Sequence, residues 1–220
     1  VATADTDRQD GWQIGVATLG EVHENAINYP GILPNVAVLQ DAAVGTGVVN
    51  TAPEVDGLVR RVPMVVRVGE SLYPALGLDV LRGLAGDPSY QVRGSETGIE
   101  AVRVPSFDTI NTDAAGRIWT DWSTEFSQEP LAGTIAFVGV TAAGVTPMVP
   151  TPQGLMYPHQ IQAALLETLL NGTAPLRPDW SLAAEITLIF GLGVLAIVLT
   201  RFLGALWVPA GLGSIGILTV

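Results

Sequence analysis

The sequence predicts an α/β fold: a mixed β-sheet with flanking helices over residues 1–180, followed by two membrane-spanning helices at 182–200 and 202–220. Three observations carry that expectation. Apolar residues alternate along "VRRVPMVVRV", recur at helical spacing along "HQIQAALLETLLNG", and run without a charge through "ITLIFGLGVLAIVLT" and "FLGALWVPAGLGSIGILTV".

Each element has its own local reason. "VRRVPMVVRV" sets Val62, Met64, Val66 and Val68 on one face and Arg61, Pro63, Val65 and Arg67 on the other, the period of a half-buried strand. Pro63 cannot donate to a ladder, which predicts an edge position or a bulge. "SLYPALGLDVLRGLAG" reads as a helix, with Ser71 as its N-cap and Gly83 or Gly86 as its stop. "GIEAVRVPSF" and "GRIWTDW" read as strands, and the continuous apolar run of "GTIAFVGVTAAG" reads as a buried central strand. In "HQIQAALLETLLNG", Ile161, Ala164, Leu165 and Leu169 share one helix face, and Asn171-Gly172 supplies the stop.

The charge-free tail reads as a membrane segment. With Leu182 to Ala184, the first run reaches the roughly 20 residues a helix needs to cross a bilayer, and the second does so as well. Arg201 alone separates them, which predicts a tight helical hairpin. Asp179 before the first span, Glu185 at its outer end and Arg201 after it orient that span from outside to inside. The soluble alternative is a pair of buried core helices, although such helices rarely lack a polar face over this length. Val1 is not a start residue and Val220 falls within the second apolar run, so the chain reads as a fragment cut at both ends.

Composition excludes several kinds of chemistry. The 220 residues include 10 basic residues against 21 acidic ones, giving a net charge of −11. Every basic residue is Arg, so neither a phosphate-loop lysine nor a Schiff-base lysine is available. An acidic chain without clustered positive charge is not built for nucleic acid. The absence of Cys removes thiol nucleophiles and disulfides. Mean hydropathy is +0.41 and only 14% of residues are charged, as expected where part of the chain meets lipid.

Catalytic constellations are hard to assemble. His23 and His159 are far apart and belong to no ligand pair. Asp108 with Asp113, or Asp121 with Glu125, are near enough in sequence to be imagined as paired carboxylates, but only proximity supports them and a solvated acidic face is the default reading. "AFVGVTAAG" leads a strand into a glycine-rich turn but lacks the phosphate-loop pattern, and Pro147, Pro150 and Pro152 follow where a helix should start. No catalytic residue, metal or cofactor is therefore expected in this chain.

The most distinctive stretch is "GVVNTAPEVDGLVRRVPMV", which puts Arg60 and Arg61 just after an Asp-Gly turn. Asp56 and Gly57 permit a tight turn, Asn50 and Asp56 are placed to accept loop N–H groups, and Arg60 is near enough to brace the turn carboxylate. "INTDAAGRIWTDW" repeats the pattern with Asn111, Asp113, Gly116 and Arg117. That recurrence favours a self-bracing structural turn formed by Asn50, Asp56, Gly57 and Arg60. The competing reading makes Arg60 and Arg61, together with Tyr73, ligand contacts.

In order and spacing, these stretches resemble the CHASE2 sensor domain of bacterial transmembrane receptors. The resemblance is carried by Gly-x-x-Asn before Asp-Gly-x-x-Arg, by the Tyr-Pro-x-Leu start, by the Val-Gly-x-Thr-Ala strand end, by the Thr-Pro pair and by the helix leading to Arg-Pro. It covers most of the chain from about Asn28 onward, with Thr146-Pro147 where the family often carries Asp and His159 where Gly is usual. The resemblance implies an N-terminally truncated extracytoplasmic sensor over 1–180 in a bacterial inner membrane. It further implies relay through membrane helices to a cytoplasmic adenylate or guanylate cyclase, or next a histidine kinase. Implied partners are a small-molecule or envelope signal, the lipid bilayer and a second copy. The alternative from another class is a membrane-tethered periplasmic hydrolase using a carboxylate pair.

Overall fold

A computed structural model describes residues 15–22, 24–123, 133–142, 144–175 and 180–203. The chain divides into two compact units, Val1–Pro175 and Leu176–Val220. In the first, β1 (Gly15–Leu19), β6 (Ser89–Ser95), β7 (Gly98–Arg103) and β8 (Thr109–Asn111) form one sheet in the order β1-β6-β7-β8. The β1/β6 pair is parallel, whereas β6/β7 and β7/β8 are antiparallel, which makes the sheet mixed as expected.

A second sheet is built from β2 (Ile27–Tyr29), β4 (Val65–Val68) and β5 (Ser71–Pro74), with β2 parallel and β5 antiparallel to β4. Two short ribbons complete the β-structure: β3 (Arg61–Pro63) with β9 (Arg117–Trp119), and β10 (Val149–Thr151) with β11 (Gly154–Met156). Helices α1 (Ala37–Ala42), α2 (Leu76–Ala85) and α3 (Pro158–Asn171) belong to the same unit.

The strand expected across "VRRVPMVVRV" divides at Met64, immediately after Pro63, and its halves join different sheets. Residues Val62 to Val66 are all buried, so the predicted alternation of faces is replaced by burial on both sides. Met64 remains tied to both neighbours: its N–H donates to Gly116 O at 2.8 Å, and its carbonyl accepts Ala75 N–H at 2.8 Å.

Ser71 does not cap a helix. Ser71–Pro74 is strand β5, and α2 begins at Leu76 after Ala75. Pro74 drives the preceding Tyr73 out of the α region, so the chain stays extended until the proline is passed. Gly86 then ends α2 in the left-handed conformation at φ 71°, one of the stops expected.

Helix α3 follows its expectation. Ile161, Ala164, Leu165 and Leu169 are buried, Gly172 ends the helix at φ 62°, and Gln160 Oε1 accepts Tyr157 N–H at 2.9 Å at its start. Helices α2 and α3 pack together closely at Gly77, where an added Cβ would lie 3.0 Å from Gln162 O and 3.1 Å from Leu165 Cδ2. Leu78 and Leu81 from α2 join Ile161 and Leu165 from α3 in one core with Val62, Tyr90, Val102 and Ile118.

The buried central strand expected in "GTIAFVGVTAAG" is not found: 134–142 joins no ladder, and Val138 is 92% exposed. Side chains at the start of α3 hold it instead. Tyr157 Oη donates to Thr141 O at 3.0 Å, and Gly139 lies so close to the His159 ring that a Cβ would clash with Nδ1.

In the second unit, α4 (Ser181–Leu203) is a single helix of 23 residues. It passes through Arg201, so the break expected there is absent, because an arginine between two apolar runs does not itself interrupt helical hydrogen bonding. The second expected span, from Gly204 onward, lies outside the described residues. Ile189, Phe190 and Ile197 are each about 70% exposed. Among the described residues, which leave out the side chains of 182 and 199–203, no helix is long and apolar enough to cross a membrane.

Candidate functional site

The two turns singled out in the sequence share one backbone geometry. In the first, Glu54 N–H donates to Leu58 O and Gly57 N–H to Glu54 O, both at 2.9 Å. In the second, Asp113 N–H donates to Arg117 O at 2.9 Å and Gly116 N–H to Asp113 O at 2.8 Å. Gly57 and Gly116 both take positive φ, 82° and 72°, a conformation open to glycine and costly for most other residues. The equivalent acids are therefore Glu54 and Asp113, not Asp56 and Asp113. Sequence reasoning missed Glu54 because it lies before the Asp-Gly pair that marks the turn.

Arg61 joins these two acids. Its Nε donates to Glu54 Oε1 at 2.8 Å and its Nη1 to Asp113 Oδ2 at 2.7 Å. The β3/β9 pairing sets Arg61 opposite Trp119, and the guanidinium carbon lies 5.2 Å from the Trp119 ring centroid. Arg117 Nε donates to the same Asp113 Oδ2 at 2.9 Å, and Asp113 Oδ1 accepts the N–H groups of Ala115 and Arg117 at 3.0 and 2.9 Å.

Arg60 faces the other way along the first turn. Its Nη2 reaches Asp56 Oδ2 at 2.7 Å, and its Nη1 reaches Asp56 Oδ1 at 3.1 Å and Glu54 Oε2 at 3.3 Å. Asp56 Oδ1 also accepts Leu58 N–H at 3.1 Å. The hydrogen bond from Arg60 holds the Asp56 carboxyl below its ordinary range, and the same pairing raises the Arg60 guanidinium. Arg60, Arg61 and Arg117 thus face Glu54, Asp56 and Asp113 in a charge-balanced network.

Asn50 stands apart from this network. It lines a groove of about 410 Å³ beside the β2-β4-β5 sheet, with Val66 and Val68 of β4 and the loops 31–35 and 46–50. Tyr73, which pairs with Val66 in β5, is buried in a small cluster with Val66 and Val68, against which Tyr29, Ile32 and Val48 pack. The structure therefore brings Asp56, Gly57, Arg60 and Arg61 together, places Asn50 at the groove, and buries Tyr73 behind it against Val66 and Val68.

Of the imagined carboxylate pairs, Asp108 with Asp113 is not supported, and Asp121 with Glu125 falls partly outside the described residues. Asp113 is engaged by Arg61 and Arg117, Asp108 is exposed, and Glu125 lies outside the described residues, as does His23. Asp121 Oδ1 accepts the hydroxyl and N–H of Ser123 at 2.6 and 2.9 Å, which lowers its carboxyl pKa. Among the described residues, no group of three or more His, Asp or Glu side chains is placed to hold a metal.

One buried ion pair completes the polar architecture. Arg82 Nε donates to Asp79 Oδ1 at 2.7 Å within α2, with the two side chains only 7% and 6% exposed. Arg82 also donates to Asp87 O at 2.7 Å and Val44 O at 3.3 Å. Burial raises the Asp79 carboxyl, opposed by hydrogen bonding and attraction from Arg82.

No curated relative and no solved structure matches the chain. The model of the CHASE2 domain family matches residues 4–198, starting well before Asn28 and extending into α4. With that span and the ordered motifs above, the chain belongs to the CHASE2 family of extracytoplasmic sensor domains in signalling receptors.

Proposed function

We propose that this chain is the extracytoplasmic sensing region of a multi-pass receptor in a bacterial inner membrane, and that it acts as a homodimer without catalysis of its own. A signal bound outside shifts the domain, and the shift passes through membrane helices to a cytoplasmic output. A class III adenylate or guanylate cyclase fits best, because its active site forms between two chains and responds to their relative placement. A histidine kinase is the next candidate.

The observation that carries this reading is α4. It follows the sensor unit after the short stretch "TAPLRPDW", and exposes Ile189, Phe190, Val194 and Ile197 to its surroundings. Its stretch from Ile186 to Thr200 carries no charge, and a run of that kind is stable where lipid covers it. The sequence places Pro175 and Pro178 in the preceding "TAPLRPDW", and proline restricts the backbone at which it stands. A few kcal/mol of differential ligand affinity between two dimer arrangements is enough to switch such a receptor.

Two measurements test it. Reporter fusions at Asp179 and Arg201 are expected to report opposite compartments, and the same compartment for both would end the membrane reading. In the full-length gene product, cyclic nucleotide production is expected to change when the sensor is deleted or when three flexible residues are inserted after Pro178. An output indifferent to both would exclude the relay.

A further inference from the structure

We infer that the groove beside the β2-β4-β5 sheet is the ligand site of this sensor, and that it takes a small uncharged molecule with an apolar body and an amide or hydroxyl head. The inference rests on the sensor reading for its biological meaning and on the groove alone for its chemistry.

Size and composition point to a small ligand. About 410 Å³ lies within the range of small-molecule sites, which combine apolar walls with a few placed polar groups. Val66 and Val68, each only 1% exposed, form the floor from β4, and Ile32 and Val48 supply the apolar contacts beside the polar lining. Thr46 and Asn50 supply hydrogen-bonding side chains, and Tyr29 adds a phenol whose hydroxyl donates to Thr51 O at 3.3 Å. The Thr46 hydroxyl accepts from Gln40 Nε2, which leaves its own proton to donate.

Charge selects among small ligands. None of the residues lining the groove is charged, although the chain carries 21 acidic and 10 basic residues. Burial raises the Tyr29 phenol above its ordinary 10.0, so that group stays neutral as well. An ionic ligand would give up water here without gaining a counter-charge, and an unpaired ion desolvated against apolar walls is strongly disfavoured. An amide or alcohol loses less, and regains hydrogen bonds from Thr46 and Asn50.

The wall carrying those groups is pre-formed. Val48 N–H donates to Pro74 O at 2.8 Å, and Leu76 N–H donates to Val48 O at 2.9 Å. Gly47 sits so tightly on the start of α2 that an added Cβ would collide with Leu76 Cα. Arg82 holds Val44 O from the same helix. A wall already ordered spares the ligand the entropy of ordering it.

The test uses the whole 220-residue chain with ¹³C-labelled valine methyls and hexanamide as the probe, with hexanoate and hexylammonium as charged controls of similar length. Hexanamide is expected to shift the Val48, Val66 and Val68 methyls saturably while leaving Val62 and Val102 in place. Both ions should bind at least tenfold more weakly. Asn50→Ala and Leu33→Trp change exposed groove residues, and each should weaken hexanamide at least threefold with the core methyls unmoved. The site is overturned by shifts elsewhere, by no saturable shift, by equal binding of hexanoate, or by indifference to both variants. If it falls while cyclic nucleotide output still depends on the sensor, the receptor reading stands. If it holds while both fusions report one compartment, the receptor reading falls and the site remains.

Discussion

Arg61 Nη1 donates to Asp113 Oδ2 at 2.7 Å across 52 positions of sequence. The same guanidinium holds Glu54, which occupies in its own turn the place that Asp113 occupies in the second. One planar cation therefore ties two turns of like geometry to the β3/β9 ribbon and sets their spacing.

Arg61→Ala is expected to lower stability by roughly 2–4 kcal/mol in chemical denaturation, since two charge-assisted hydrogen bonds vanish and leave part-buried carboxylates behind. Arg61→Lys keeps the charge but not the fork, and should recover less than half of the loss. A cost below about 1 kcal/mol for the alanine variant, the scale of an exposed ion pair, would show that the turns hold without it.

Asp56 and Arg60 are expected to act as a unit. The melting temperatures of Asp56→Ala and Arg60→Ala should both fall, and the double variant should fall by less than the sum. The folded Asp56 carboxyl lies below its ordinary 3.8. Its contribution is thus present above the unfolded value and is lost as pH drops through the folded one. Acid unfolding of the wild type should show this loss below about pH 4. In Arg60→Ala, the Asp56 titration followed by NMR should move back up toward 3.8; an unmoved titration would remove Arg60 as the cause.

The buried Asp79–Arg82 pair gives a sharper contrast. Arg82→Ala leaves Asp79 buried without its partner and should cost about 3–5 kcal/mol. Burial already raises the Asp79 carboxyl. With Arg82 removed, its folded pKa rises further above the unfolded value, so stability of the variant should improve as pH falls through that folded pKa toward the unfolded one. Replacing both charges with apolar side chains, Asp79→Leu together with Arg82→Met, should restore most of the loss in a denaturation series. A double variant as unstable as Arg82→Ala would show that the contacts to Val44 and Asp87 carry the effect.

Gly77→Ala probes the α2/α3 contact. Its Cβ would meet Gln162 O at 3.0 Å, and this backbone atom cannot rotate away. The helices must part, at a cost of about 1–3 kcal/mol. Gly83, where an added Cβ meets nothing within 4 Å, is the control, and Gly83→Ala should stabilise by a few tenths of a kcal/mol to about 1 kcal/mol. Equal effects at both sites would contradict close helix packing.

The sequence by itself determined features that depend on near neighbours. The Asp56-Gly57 turn follows from backbone freedom at glycine, the break beside Pro63 from a missing N–H, and the buried stripe of α3 from helical period. The order of these pieces was also enough to identify the family. Tertiary structure decided what those pieces meet. An apolar run such as 134–140 has the same pattern whether it is buried or exposed, because no residue within it encodes a partner strand, and here Tyr157 and His159 hold it at the surface. Nothing in the sequence singles out Glu54, and only folding places it 2.8 Å from Arg61. Asn50 read as a turn residue but lines the groove, because the Val48–Ala75 bridge draws its loop onto the start of α2. Local chemistry acts over a few residues, whereas ladder pairing, ion-pair partners and groove walls join segments far apart, and only the packed chain sets those distances.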